Sequence, residues 1–319
     1  MATWLIILIC VIVFLIIVFI IADIAIGNYF YEFAMARKPK VAAASGSALS
    51  KKGERPLVET GDPHMEWIDE VPTEELTITS FDNLKLYGIF APKDDVKKIV
   101  IICHGYKNNP LLMCYPAMHF YEQGFSCFIP YARGHAKSEG DYIGMGWYER
   151  FDILKWIDLL NEKYNNPSIV LYGISMGAST VMNTSGEALP SNVKCAIEDC
   201  GYTSIKDQFC HVLKNLKNLP PKIIFRFASH AIKRHTKIDA YKEGYSTAQL
   251  AKSKLPMFFV QGDADKFVPY SMLQENFDAH PGPKQILTIH DAAHASCAWA
   301  GGDLYWNSIF SFINNYINQ

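Results

Sequence analysis

The first hydrophobic feature of the chain is an unbroken apolar run over residues 4–22, with further apolar positions continuing to Phe33. Nineteen residues at ~1.5 Å each span roughly 28 Å, close to the hydrocarbon thickness of a bilayer. No polar face interrupts the run, so it does not read as a helix of a soluble core. It also exceeds the ~7–15 residue core of a secretory leader. No Lys or Arg precedes it, and the one small-residue site resembling a cleavage signal, Ala42-Ala43-Ala44, lies far beyond it. The pattern predicts a retained, single-pass anchor over residues 1–36. Residues 37–55 are small, polar and basic, the composition of a linker. A folded domain is expected from Pro56 to the last residue, 319.

Beyond the linker the pattern changes period. Leu76, Ile78, Leu84 and Leu86 alternate on either side of Asp82-Asn83, a hairpin signal. Short apolar runs then recur at 98–103, 125–130, 169–172, 195–198, 257–261 and 286–289. Such runs read as strands buried on both faces of a parallel sheet. Helical stretches lie between them, the clearest at 148–164, 178–188 and 303–317. Alternation of this kind predicts an α/β fold with a mostly parallel sheet covered on both faces. One interval breaks the rhythm: residues 203–254 are far longer than a crossover needs and include Pro220-Pro221. It is expected to form a helical cap.

Composition narrows the function classes. Half of the residues are hydrophobic, 19% are charged and the net charge is −2, so nothing draws the chain globally to nucleic acid. Eight cysteines are present without a CxxC pair or zinc-ligand spacing, and most read as small buried hydrophobes. No metal or cofactor is expected: there is no P-loop, and Gly144-Met145-Gly146 lacks the third glycine of a dinucleotide loop. The cap is locally basic, with eleven Lys or Arg against three Asp or Glu over residues 205–254. Within it Ile223, Ile224, Phe227, Ala228 and Ala231 share a helical face opposite Arg226, Lys233 and Arg234. That helix has two readings: one lying on an anionic membrane interface, or a lid helix whose apolar face lines a substrate pocket.

The chemistry concentrates at Gly173-Ile174-Ser175-Met176-Gly177, a G-x-S-x-G between an apolar strand and a helical run. Such a turn lifts the serine hydroxyl above the carboxyl end of the sheet. The hydroxyl is a weak nucleophile and needs a base, oriented by a third group. Both types follow later in the chain at strand ends, as Asp263 and Asp265 in one loop and His290 and His294 in the next.

From about Leu76 to Ile317 the chain resembles the α/β-hydrolase superfamily, in particular bacterial membrane-anchored acyl hydrolases and serine-aminopeptidase-like serine hydrolases. The resemblance rests on His104-Gly105-Tyr106, the stretch Arg133-Gly134-His135-Ala136-Lys137-Ser138-Glu139-Gly140, the serine elbow, residues 262–269 and Ala293-His294. It implies a triad of Ser175, Asp265 and His294, with Asp263 a turn residue and His290 structural. It also implies an oxyanion hole from the backbone N–H groups of Tyr106 and Met176, with His104 fixing the loop. The chain departs from the pattern at Tyr131, where members often carry Asp, and at Ala136, where glycine is usual; Arg133 is expected to pair structurally with a carboxylate.

The resulting expectation is a membrane-anchored hydrolase of small acyl esters or lipid-like substrates. A serine peptidase, aminopeptidase or thioesterase is the alternative, and an idle binding protein on the same fold is a third. Glu198-Asp199 is the one pair that offers a peptidase an amine site, against a plainer reading as strand-end polar residues. Arg37, Lys38, Lys40, Lys51 and Lys52 follow the anchor, and by the positive-inside rule they place the catalytic domain in the cytoplasm.

Overall fold

A computed structural model of the chain describes residues 3–37 and 63–317. The expected linker, apart from Arg37, and the expected domain start at Pro56 lie outside the described residues. Helix α1 (Thr3–Ala34) is continuous, and it is long and apolar enough to cross a membrane. A short helix α2 (Trp67–Glu70) leads into the sheet.

Eight strands form one sheet in the order β1-β2-β4-β3-β5-β6-β7-β8. They are β1 (Glu74–Thr79), β2 (Lys85–Ala91), β3 (Lys98–Cys103), β4 (Ser126–Tyr131), β5 (Ser168–Ile174), β6 (Val193–Asp199), β7 (Met257–Gly262) and β8 (Lys284–Ile289). β1 pairs antiparallel with β2, and β2 with β4; every other pairing is parallel. The hairpin turn falls where Asp82-Asn83 indicated, with Asn83 at a φ of 65°. Because side chains alternate along a strand, β3 sends Val100 and Ile102 into a core with Phe120, Tyr172 and Phe312. Its Ile99 and Ile101 enter the opposite core with Trp156, Leu171 and Phe259. Each such side chain, fully buried, contributes ~1.5–3 kcal/mol, which explains why the central strands read as continuous apolar runs.

Helices α3 (Cys114–Glu122), α4 (Glu149–Tyr164), α5 (Met176–Ser185), α9 (Ser271–Ala279) and α10 (Cys297–Asn314) cover the sheet. In α3, Pro116 sits in the first turn, where its missing N–H costs nothing. Two helices differ from the sequence expectation. Helix α5 stops at Ser185, before Gly186. Helix α10 starts six residues early, at Cys297, and crosses a kink at Gly302 (φ 46°, ψ −127°) that only glycine adopts readily.

The insertion holds α6 (Ile205–His211), a π turn (Val212–Leu216), α7 (Pro221–Thr236) and α8 (Ser246–Leu250). Helix α7 lies along the C-terminal part of α1, and the two run in the same direction. Phe19 meets Phe227 at 5.9 Å between ring centroids, and Tyr31 stacks on His235 at 4.2 Å. Gly27 permits the close approach: a Cβ there would lie 2.5 Å from the Phe227 carbonyl oxygen. Asp23 accepts from His230 Nδ1 at 2.7 Å and faces Arg234 at 3.6 Å, while Lys233 pairs with Asp239.

This packing corrects both readings of the cap helix. Its face of Ile224, Ala228 and Ala231 is buried, Phe227 is half-covered by α1, and Ile223 is left 61% exposed. The apolar face therefore neither lies open to a bilayer nor lines the cleft above Ser175, whose cap side comes from α6 and the π turn.

Candidate active site

The site forms at the carboxyl ends of β5, β7 and β8. Ser175, directly after β5, has φ 57° and ψ −116°, a strained conformation for a residue with a Cβ. The flanking glycines make the turn possible. A Cβ on Gly177 would lie 2.0 Å from the Cys103 carbonyl oxygen, and one on Gly173 would lie 2.2 Å from that of Gly177. The Ser175 N–H is tied to the Asp199 carbonyl at 2.8 Å.

The structure brings Ser175, His294 and Asp265 together. Ser175 Oγ lies 2.9 Å from His294 Nε2, and His294 Nδ1 lies 2.7 Å from Asp265 Oδ2. The other carboxylate oxygen, Oδ1, accepts the backbone N–H groups of Phe267 and Val268 at 2.8 and 2.9 Å. Ionised, the Asp265 carboxylate is acceptor-only, so Nδ1 carries the imidazole proton and Nε2 presents its lone pair to the serine hydroxyl. Burial opposes charging of His294, but the carboxylates of Asp265 and Asp199 outweigh it and raise its pKa above the usual value. Asp263 and His290 are not part of this set. They pair with each other at 2.8 Å on the surface, where His290 is 87% exposed, and Asp263 also accepts the Asp291 N–H.

The loop after β3 lies against the nucleophile: a Cβ on Gly105 would be 3.7 Å from that of Ser175. Two buried histidines hold this loop. His104 Nε2 accepts the Ala132 N–H at 3.1 Å, so its Nδ1–H donates to the Gly105 carbonyl at 2.8 Å. His135 repeats the arrangement, accepting from Lys107 N–H at 3.0 Å and donating to the Arg133 carbonyl at 3.0 Å. Both must be neutral to do so. Burial, reinforced at His104 by the neighbouring His135, pushes their pKa values down to about 3 and about 4. The sequence named His104 as a loop-fixer, but nothing in the motif separated His135 from its neighbours. Arg133 is fully buried and bridges Asp152 and Asp82 at 2.7–2.8 Å, a structural role.

Glu198 and Asp199 are fully buried behind the elbow. Burial raises both carboxyls, Asp199 to about 6. Asp199 accepts the Tyr305 hydroxyl, which is joined in turn to that of Tyr172 at 2.8 Å. Among the described residues, Cys200, Asp265 and His294 bring donor atoms within 4.8 Å of one another. Two of the three are already bonded to each other, and burial keeps the Cys200 thiol protonated.

A cleft opens above Ser175, with ≈ 690 Å³ of space counted out to its mouth. One wall is the last turn of α1 and the residue after it, through Phe33, Ala34 and Met35; the cap adds Ile205, Phe209 and Leu213. The end of α1 is fastened to the loop after β3: the Tyr106 hydroxyl donates to the Ala34 carbonyl at 2.5 Å, and Lys107 Nζ to that of Phe33 at 3.2 Å. The participation of α1 in the cleft had no signal in the sequence.

The fold is shared with known proteins. A family model described as serine aminopeptidase, S33, matches residues 94–243. The chain is 25% identical over 273 residues to the uncharacterized protein YqkD of Bacillus subtilis, covering 84% of this chain and 89% of that protein. It is 23% identical over 266 residues to YfhR of Escherichia coli K12, covering 78% and 84%. Among solved structures, the Pyrococcus furiosus esterase Pf2001 superposes with a TM-score of 0.64 at 20% identity, over 84% of this chain and 99% of that one.

Proposed function

We propose that this chain, a hydrolase belonging to the α/β-hydrolase superfamily, cleaves carboxylic esters through a Ser175–His294–Asp265 triad while held to a membrane by α1. One observation carries the reading: a serine on a strained elbow within 2.9 Å of a histidine whose far nitrogen is 2.7 Å from a buried carboxylate. As His294 Nε2 takes the hydroxyl proton, Ser175 Oγ attacks the ester carbonyl. The resulting oxyanion accepts the backbone N–H groups of Met176 and Tyr106, which act on charge present only in the transition state. His294 then returns the proton to the leaving alkoxide. A water, deprotonated by the same nitrogen, hydrolyses the acyl-enzyme.

The esterase reading is favoured over the aminopeptidase that the family description names. Capture of a free amine calls for a carboxylate beside the cleft, yet among the described residues none lines it, and Glu198 and Asp199 are fully buried. Retention of the anchor is favoured because a cleaved leader would remove Phe33–Met35 from the cleft wall. The unit boundaries we propose are an anchor over residues 1–36, a catalytic domain over 56–319 and a cap over 203–254. The basic residues 37, 38, 40, 51 and 52 favour a cytoplasmic domain; protease protection in inverted vesicles, against digestion in right-side-out ones, would reverse the orientation. A fluorophosphonate should label Ser175 alone, and Ser175→Ala should lose both labelling and hydrolysis. Undiminished labelling of that variant would overturn the assignment.

A further inference from the structure

We infer that the substrate is a long-chain acyl ester lipid of the bilayer that α1 enters, and that the end of α1 is itself part of the acyl-binding site. The inference rests on Ser175 being the nucleophile of an anchored esterase. Three observations carry it beyond that reading.

The first is the chemistry of the cleft. Its walls are apolar on both sides of the nucleophile: Ala34 and Met35 from the anchor, Phe209, Val212 and Leu213 from the cap. Among the described residues no charged side chain lines it. Such a surface fits an acyl chain, its polar groups being confined to Tyr106, Ser175, Tyr202 and Gln208.

The second is continuity with the span. Phe33 and Ala34 are residues of the same unbroken helix whose apolar segment ends at Ala22, so the cleft wall continues the anchor without an intervening loop. Phe30, one turn before the wall, lies 6.4 Å from Phe209 between ring centroids, so anchor and cap face each other on the membrane side of the cleft as well. The cap helix α7 begins alongside the apolar segment, where Phe227 meets Phe19, and it exposes Ile223 one turn earlier still. Phe30 and Phe209 thus extend the apolar wall of the cleft one turn toward the span.

The third is the fastening of the anchor to the loop that carries an oxyanion donor. The Tyr106 hydroxyl is bonded to the Ala34 carbonyl, while the Tyr106 backbone N–H is the proposed donor. The same residue thus joins the acyl wall to the charge-stabilising loop. Displacing the anchor would alter both chain binding and turnover.

The test uses the full chain reconstituted in phosphatidylcholine vesicles, with two esters of one leaving group: 4-methylumbelliferyl oleate in the bilayer and 4-methylumbelliferyl acetate in the water. Ala34→Trp and Val212→Trp fill the cleft from opposite sides. Each should lower the oleate-to-acetate ratio of kcat/KM at least tenfold while a small fluorophosphonate still labels Ser175. An unchanged ratio in both variants, with acetate still cleaved, overturns the inference and leaves the esterase reading standing. Absence of labelling and of cleavage of either ester by the unsubstituted chain overturns both. An independent arm needs no substitution: a palmitoyl lipid with a terminal diazirine, photolysed in the same vesicles, should mark peptides containing residues 33–35 or 205–213. Marks confined to residues 4–22 overturn the inference.

Discussion

The two walls of the Ser175 cleft are built in opposite ways. On the chemical side each proposed catalytic group sits within a few residues of a strand end, and the sheet positions it: Ser175 after β5, Asp265 after β7, His294 after β8. On the substrate side the wall joins the end of α1 to α6 and the π turn, segments from opposite sides of Ser175 in the chain, held by side-chain packing and by hydrogen bonds to the loop after β3. A wall made by strand ends inherits the rigidity of the buried sheet. A wall made by a helix end and an insertion can vary more freely, and it reaches the chemistry through the Tyr106 bond to Ala34. The first should govern whether a bond is cleaved, the second which molecule is cleaved.

The largest effects belong to the chemical side. His294→Ala and Asp265→Asn should each lower kcat by roughly 10³–10⁵, because triad members act as a unit. Asp263→Asn and His290→Ala, the surface pair of the same two loops, should change it by less than about threefold. Stopped-flow acylation of the four variants checks the contrast, and a reversed order would mean that the wrong acid and base have been named. The raised pKa of His294 gives a second reading of the same wall. The base must be neutral, so kcat/KM should fall as pH drops through a value above the ordinary ~6.5 of histidine. In Asp265→Asn the residual activity should show that limb at lower pH, because one of the two carboxylates favouring the charged ring is gone.

Between the walls lies the loop after β3, held by His104 and His135. Both have folded-state pKa values depressed below the unfolded ~6.5. Their contribution to stability is therefore present above pH 6.5 and is lost as pH falls toward the folded values of about 4 and about 3. By pH 5 the loss should be about 2 kcal/mol for each histidine, since both are buried and cannot charge without breaking an accepted N–H bond. Denaturant midpoints from pH 7 to pH 5 measure it. A midpoint independent of pH would mean that the loop accommodates charged imidazoles.

What was legible in the sequence follows the same division. The elbow, the acid loop and the histidine loop are each short motifs whose geometry is set by neighbours in the chain, and the three side chains they named are the ones the fold brings within hydrogen-bond distance. The strands were legible because two-sided burial writes continuous apolar runs. The α7 face misled because a helix packed between α1 and the domain buries a wide arc, and no local pattern says which neighbour covers it. The place of Phe33–Met35 in the cleft was hidden for a related reason: a helix read as an anchor explains its own hydrophobicity, leaving no residue over to signal a pocket. Tyr106 was read for its backbone alone, though its hydroxyl is what ties the walls together.

That tie gives a smaller prediction that sharpens the comparison. Tyr106→Phe keeps the backbone donor and the ring but removes the hydrogen bond to Ala34. One such bond contributes ~1 kcal/mol, so kcat toward a short ester should fall by about fivefold, with a larger loss toward a long-chain ester. Equal losses for both would place the effect on the chemical wall alone.

The smallest effect tests whether strain matters equally in both regions. Ser175 and Ala136 both hold φ in the left-handed region, at 57° and 44°. At Ser175 the strain presents the hydroxyl and cannot be relieved without removing the proposed nucleophile. At Ala136 the side chain does nothing of the kind. The position sits in the loop after β4, and its carbonyl accepts the guanidinium of Arg37 at 2.7 Å, just beyond the anchor. An alanine there costs ~1–2 kcal/mol relative to right-handed backbone. Glycine removes that cost but raises the entropy of the unfolded chain, an opposing ~0.5–1 kcal/mol. Ala136→Gly should therefore stabilise by a few tenths to about 1 kcal/mol, a rise in Tm of about 1–4 °C for a domain of this size. Activity toward short esters should be unaltered. A fall in Tm would mean that the Arg37 contact, which ties the residues following α1 to this loop, needs the alanine conformation and outweighs the backbone strain.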